Sequence, residues 1–208
     1  MAEKTSGIYR LITIPKLYAF FQDMLGGQAA RGSFKEQYFN DVAGKKVLEI
    51  GCGPGASYPI LSDSAEFIGV DWNAEHIKTA QEKFGSGKAS FVRGDVRTEL
   101  SMDSGRFDYV FAFGLLHHLD DNDAKELLIV AHDYLCTGGK FVSVDPVYHK
   151  GQNWFAKWMC DRDSGQNVRT AERYQSLFPE QFNNVCSNVS TDKLRIPYSH
   201  CVMVATKG

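Results

Sequence analysis

The chain has 208 residues, of which 43% are apolar and 23% charged, and its formal net charge is −2. That is enough chain for one well-buried domain and hardly enough for two. Without a basic surplus, it argues against a nucleic-acid partner. The five cysteines, Cys52, Cys136, Cys160, Cys186 and Cys201, are scattered and form no CxxC pair. They argue against a disulfide framework and a cysteine zinc site, and suit reduced thiols in the cytoplasm.

Residues 8–40 come first, rich in Tyr, Phe and Leu, and read as a helical cap before the first strand. Arg10, Lys16 and Asp23 interrupt the apolar run, which is too short and too charged to span a bilayer and lacks a signal-peptide layout. Five strands are then predicted, at 46–50, 67–71, 90–95, 107–113 and 140–145. Between them, a helix over 73–84 starts at Asn73, a good N-cap. A second, over 121–135, opens on Asp120, Asp121 and Asp123, which suit the positive end of a helix dipole. Gly138 and Gly139 are expected to stop it. Strands alternating with helices imply an α/β fold with a mostly parallel sheet. Towards the end, a helix start at Thr170 precedes strands at 184–189 and 198–205. With no helical crossover between them, these two strands form an antiparallel hairpin at the sheet edge. Residues 146–169, with Trp154, Trp158, Asp161, Arg162 and Asp163, are expected to form a lid at the carboxyl ends of the strands, where open α/β sheets bind ligands.

The chemistry concentrates at Glu49-Ile50-Gly51-Cys52-Gly53-Pro54-Gly55. Glycines let the backbone turn tightly and let a ligand approach without a Cβ in the way. A glycine turn alone also fits a dinucleotide. Glu49 separates the readings, because a buried carboxylate suits an ammonium-bearing ligand and repels a pyrophosphate. Asp71, at the end of the second strand, can accept two hydrogen bonds from vicinal ribose hydroxyls. Asp95 can take an adenine amino proton, with Val96 packing near the ring. Phe113-Gly114-Leu115-Leu116-His117-His118 follows the fourth strand.

The order VLEIGCGPG, VD, GD, LLHHLDD, then a GG turn before FVSVD, resembles the class I S-adenosylmethionine (SAM)-dependent methyltransferases over residues 45–145. The resemblance implies a Rossmann-like three-layer αβα sandwich with a seven-stranded, mostly parallel sheet, built as a single domain over residues 1–208. It implies that Glu49, Gly51, Cys52, Gly53 and Gly55 hold the methionine end of SAM. Asp71 would hold the ribose, Trp72 would lie against the adenine, Asp95 and Val96 would flank it, and Phe113 would lie near the methionine moiety. Tyr18 is the choice for a side chain covering the cofactor. The expected product is S-adenosylhomocysteine.

Methyl transfer from a sulfonium needs alignment of the nucleophile and exclusion of water, and a base only when the nucleophile must lose a proton. His117 and His118 are the candidate bases, since imidazole titrates near neutrality. Some members of the family bind a metal through carboxylates just after this strand. Here that stretch offers Gly114, His117 and His118 without a glutamate, so no metal is expected. The (N/D/S)PP(Y/F) motif of DNA methyltransferases is missing at this place. Arg162 and Arg169 could clamp a carboxylate or phosphate on a substrate, or pair with Asp161 and Asp163. Tyr198 and His200 are further candidates for the cleft. The expectation is an enzyme, monomeric or homodimeric, that methylates oxygen or nitrogen of a small polar metabolite. Two alternatives are an NAD(P)-dependent oxidoreductase, for which no Tyr-x-x-x-Lys is visible, and a non-catalytic SAM-binding module.

Overall fold

The computed structural model describes residues 35–62, 64, 66–85, 87–99, 105–190 and 199–208, together with Gly32. Tyr18, Tyr198 and most of the expected N-terminal cap lie outside the described residues. The elements run in chain order as β1 (Lys46–Ile50), α1 (Tyr58–Leu61), β2 (Glu66–Asp71), α2 (Ala74–Phe84), β3 (Ala89–Arg93), α3 (Val96–Glu99) and β4 (Phe107–Phe113). After a 3-10 turn (Leu116–His118) come α4 (Asp121–Tyr134), β5 (Leu135–Tyr148), α5 (Trp154–Cys160), β6 (Arg169–Thr170), α6 (Ala171–Gln175), β7 (Phe182–Ser190) and β8 (His200–Lys207).

The strands form one sheet in the order β3-β2-β1-β4-β5-β8-β7, and the short β6 pairs with β5. Pairing is parallel from β3 to β5, and antiparallel between β5 and β8 and between β8 and β7. The closing hairpin is thus antiparallel, as expected, with β8 inserted between β5 and the edge strand β7. Chain order reverses direction between β1 and β4, and the crevice at their carboxyl ends is where such sheets bind ligands.

Both faces of the sheet are covered, which explains the near-continuous apolar runs of the strands. Leu48, Ile50, Val110, Ala112 and Phe141 point to one core, packed with Leu128 and Ala131 of α4. Their neighbours Val47, Tyr109, Phe111, Val142 and Val144 point to the other, with Phe39, Leu61 and Ile77. This is the period of two that a strand imposes on its side chains.

The helix starts follow local capping. The Asn73 side chain accepts from the backbone N–H groups of Glu75 and His76, and that of Asp120 from Asn122 and Asp123. Two boundaries differ from the sequence expectation. The helix after the glycine loop starts at Tyr58 rather than near Ala56, because positive φ at Gly51, Gly53 and Gly55 keeps the chain turning, and Pro59 favours the first helical turn. β5 begins at Leu135, ahead of the two glycines. Fully buried Leu135 pairs with Phe107, and a Cβ at Gly139 would lie 2.9 Å from the Cys136 carbonyl oxygen. Among the described residues no helix is long and apolar enough to cross a membrane.

The cysteines differ sharply in exposure: Cys52, Cys160 and Cys201 are buried, Cys136 is half-buried and Cys186 is exposed on the edge strand β7. Burial pushes the Cys201 thiol up to about 12. A thiol reagent at pH 8 is therefore expected to modify Cys186 first, with Cys52, Cys160 and Cys201 reacting only after denaturant is added. Mass mapping of the labelled peptides checks the order.

Candidate functional site

The loop that joins β1 to α1 is built against the end of β2. The backbone N–H groups of Gly51 and Cys52 donate to the Val70 carbonyl at 2.8 and 3.1 Å. The next donor in the turn, the Gly53 N–H, reaches Asp71 Oδ2 at 2.9 Å. The other oxygen, Asp71 Oδ1, accepts from the Asn73 N–H at 2.8 Å, directly ahead of α2. One carboxylate therefore fixes both the glycine loop and the helix start. Gly55 has a φ of 76°, and a Cβ there would lie 3.0 Å from the Phe84 ring and 3.1 Å from Phe91. Only glycine meets both conditions.

Glu49 is almost fully buried at the floor of this loop. Burial, and then the charges of Glu49 and Asp71, push the Cys52 thiol far above its ordinary value. Cys52 is therefore a protonated, apolar filler. It packs over Gly69, where any Cβ would sit 2.9 Å from Cys52 Sγ.

The next two strand ends extend the site. Trp72 follows Asp71 and is 59% exposed, a large flat surface at the rim. Asp95 follows β3; its carboxylate accepts from both the backbone N–H and the guanidinium of Arg97. These hydrogen bonds hold the Asp95 carboxyl below its ordinary range. A ligand amine at this point would share Asp95 with Arg97. Val96 is buried beneath it, and its carbonyl accepts from the Tyr134 hydroxyl at 2.8 Å. At the end of β4, Phe113 is half-buried edge-on to Phe111, and the Gly114 N–H donates to the Val144 carbonyl at 2.7 Å.

The turn after β4 carries the histidine pair. His117 is buried between two carboxylates. Asp145, near the end of β5, accepts from the His117 backbone N–H at 3.1 Å and from ring Nδ1 at 2.8 Å. On the other side, Nε2 lies 3.1 Å from Asp163 Oδ1. Burial alone would favour the neutral ring, but the hydrogen bonds to Asp145 and Asp163 outweigh it and push His117 up to about 9. Both ring nitrogens of His117 thus lie against carboxylates, Nδ1 against Asp145 and Nε2 against Asp163. His118 stacks beside it, the ring centroids 4.2 Å apart. Burial, then the neighbouring His117 charge, pull His118 down to about 4, so its ring is neutral at physiological pH. His200, the other expected cleft histidine, is buried opposite Pro146 between β5 and β7.

Residues 163–169 lock this turn in place. Gly165 packs flat on His117, and the Asn167 N–H donates to the His117 carbonyl at 2.9 Å. Arg169 is buried and donates to the carbonyls of Leu116 and Leu119 at 2.9 and 2.8 Å and to Asp121 Oδ1 at 2.9 Å. Arg169 thus pairs with Asp121, where the sequence had offered a substrate anion or Asp161 and Asp163. Arg162 lies over the Trp158 ring at 4.4 Å. Asp145 and Gly165 escaped sequence reasoning as parts of the site, since their partner His117 is remote along the chain. The spacing Asp163-x-Gly165-x-x-x-Arg169 was the visible trace.

Comparisons with known proteins agree with this layout. Residues 47–139 match the family model described as a methyltransferase domain. Juvenile hormone acid O-methyltransferase of Bombyx mori is 31% identical over 98 residues, covering 42% of this chain and 35% of that protein. Ubiquinone biosynthesis O-methyltransferase of Erwinia tasmaniensis is 32% identical over 88 residues, covering 41% and 36%. The matches thus span about a third of the length of these two curated relatives. Among solved structures, a SAM-dependent methyltransferase from Archaeoglobus fulgidus superposes with a TM-score of 0.72 at 17% identity, covering 91% of this chain and 99% of that one. A Haemonchus contortus phosphoethanolamine N-methyltransferase, in complex with phosphomonomethylethanolamine and S-adenosylhomocysteine, gives 0.75 at 15% identity, covering 95% and 58%. At these identities the structures show a shared fold.

Gly165→Ala places a Cβ 2.0 Å from His117 Cδ2 and 2.7 Å from its carbonyl oxygen. It is expected to cost about 1–3 kcal/mol by overpacking, read as a lower urea midpoint at unchanged m-value.

Proposed function

We infer that this chain, which belongs through its residues 47–139 to the class I SAM-dependent methyltransferases, transfers the methyl group of SAM to oxygen or nitrogen of a small polar metabolite. The observation that carries the reading is the cradle at the end of β1 and β2. A buried Glu49 lies beneath a glycine turn with positive φ at residues 51, 53 and 55, and Asp71 faces the same turn. Gly51, Cys52 and Gly53 offer backbone to the methionine end of SAM, whose ammonium suits the Glu49 carboxylate. Each Asp71 oxygen accepts one backbone N–H and keeps a further lone pair for a ribose hydroxyl. Exposed Trp72 is the adenine platform, with Asp95 and Val96 on its other side and Phe113 towards the sulfur.

A pyrophosphate fits this cradle poorly, because it would meet the buried carboxylate of Glu49. That weighs against a nicotinamide dinucleotide. The acceptor would lie on the side of the cradle towards β4 and β5, next to the histidine turn and under residues 146–169, which we read as the lid. Of the histidine pair, His118 is the one that can face an acceptor, since both ring nitrogens of His117 are engaged. The work of the protein in such a reaction is alignment: the acceptor atom must sit in line with the methyl–sulfur bond with water excluded. The expected chain is cytoplasmic and needs no nucleic-acid partner.

Methyl transfer from radiolabelled SAM into a fractionated metabolite extract tests the activity. Incorporation into a small, polar, volatile-insensitive product supports the reading, and incorporation into nucleic acid alone would refute it. Asp71→Ala should weaken S-adenosylhomocysteine binding by more than tenfold in calorimetry. An affinity within twofold of wild type, in a variant shown by circular dichroism to be folded, would remove Asp71 from the cofactor site.

A further inference from the structure

We propose that His117, His118 and Asp163 form a binding site for one divalent transition-metal ion of the zinc type, set beside the SAM cradle. The ligand atoms of the three side chains all lie within 4.8 Å of one another. Two of them, His117 Nε2 and Asp163 Oδ1, are 3.1 Å apart. Ligands placed about 2.0–2.1 Å from a tetrahedral ion are roughly 3.4 Å from each other. The first pair is therefore close to metal-ligand spacing, the ion taking the place of the proton that His117 Nε2 shares with Asp163, and the third ligand atom lies within roughly 1.4 Å of that spacing.

Three further features point the same way. The first is Asp145. It is buried, and it accepts the Nδ1 hydrogen of His117 at 2.8 Å. That hydrogen bond fixes the ring so that Nε2 faces Asp163 and His118. A carboxylate behind a histidine, holding its far nitrogen towards the ion, is the usual outer support of a metal-bound imidazole, and it raises the ligand's basicity. The second is His118. It is half-buried, and its ring makes no hydrogen bond among the described residues, although a polar ring in such a place normally has a partner. An ion bound at a ring nitrogen of His118 would supply one. The third is rigidity. The turn that carries both histidines is tied by Arg169 to the carbonyls of Leu116 and Leu119 and by Asn167 to that of His117. A binding site held on both flanks loses little entropy when it is occupied.

Two imidazoles and one carboxylate are the donor set of a catalytic zinc site, with the fourth position left for water or substrate. Magnesium prefers an all-oxygen shell and suits this set poorly. The sequence offered only the histidine pair after β4 and so argued against a metal. The third ligand comes from the segment after α5, which local spacing could not bring to the turn.

The role of the ion rests on the methyltransferase reading above; its binding does not. Placed at the acceptor side, it would take the hydroxyl oxygen of the acceptor as its fourth ligand and lower the pKa of that hydroxyl. The proton leaves to solvent water. The oxygen lone pair then forms the bond to the methyl carbon while the methyl–sulfur bond breaks. The electron pair of that bond stays on sulfur, and the sulfonium becomes the neutral thioether of S-adenosylhomocysteine. This selects oxygen over nitrogen as the atom methylated.

The test uses the full chain, stripped with chelator, and titrated with Co2+ by visible absorption and with Zn2+ by calorimetry. One ion per chain is expected with a dissociation constant of about 10 μM or tighter, and with the strong absorption of low-coordinate cobalt. His118→Ala and Asp163→Ala should each weaken binding by at least tenfold, while His149→Ala, on the hydrogen bond to Ser199, leaves it unchanged. S-adenosylhomocysteine affinity is measured on the same samples. If it is retained while metal binding is missing from the wild type, or survives both ligand substitutions, the metal site is overturned and the cofactor reading stands. Saturable Mg2+ binding without Zn2+ binding would overturn it equally.

Discussion

The carboxylate of Asp71 is the constraint on which the glycine loop and the start of α2 both depend. It lies at the end of β2 and is largely buried, yet each of its oxygens accepts a backbone N–H, one from Gly53 and one from Asn73. The glycine turn after β1 therefore cannot drift from the sheet, and α2 starts where its cap is held. A buried charge is tolerated only when hydrogen-bonded, and these N–H groups meet that need before any ligand arrives. The same arrangement leaves each oxygen with further acceptor capacity. On the proposed function, structural support and ligand recognition share this one group, and its loss is expected to act on binding through the loop as well as through a missing contact.

At the turn after β4, beside the glycine loop, an imidazole plays the matching part. His117 joins three pieces of chain that are far apart in sequence: the turn after β4, the end of β5 through Asp145, and the segment after α5 through Asp163. Arg169 secures the same turn from its other flank, with four of its contacts going to Leu116, Leu119, Asn167 and Asp121. An arginine in this setting spreads several donors over a planar fork and satisfies turn carbonyls that would otherwise be buried unpaired. The wall of the site beside the cradle is built from these polar contacts, and its shape follows from them more than from apolar packing.

What the sequence made legible was local. β1 and β4 have the bounds expected from their apolar runs, which are near-continuous because both faces of these strands are covered. Asn73 and Asp120 announced the starts of α2 and α4, since a cap acts on N–H groups two or three residues away. Glu49, Asp71 and the three glycines were visible for the same reason: their roles are set within one loop. What stayed hidden was remote. The Asp145 contact with His117 spans 28 positions and the Arg169 contact with Leu116 spans 53. No periodicity records such pairs. Arg169 was read as a possible anion clamp because a lone arginine in a lid suggests one; only the fold shows that Asp121 and the turn carbonyls occupy it. β5 was read short because two glycines look like a stop, whereas here they admit a close backbone approach inside an irregular stretch of strand.

On the proposed function, the crevice at the ends of β1, β2 and β4 is built for the sulfonium cofactor and its product. Calorimetric titration of the wild-type chain with S-adenosylhomocysteine and, separately, with NADH tests it most directly. One site per chain for S-adenosylhomocysteine, with micromolar or tighter affinity and no heat from NADH, is the result expected. Saturable binding of NADH with none of S-adenosylhomocysteine would contradict it.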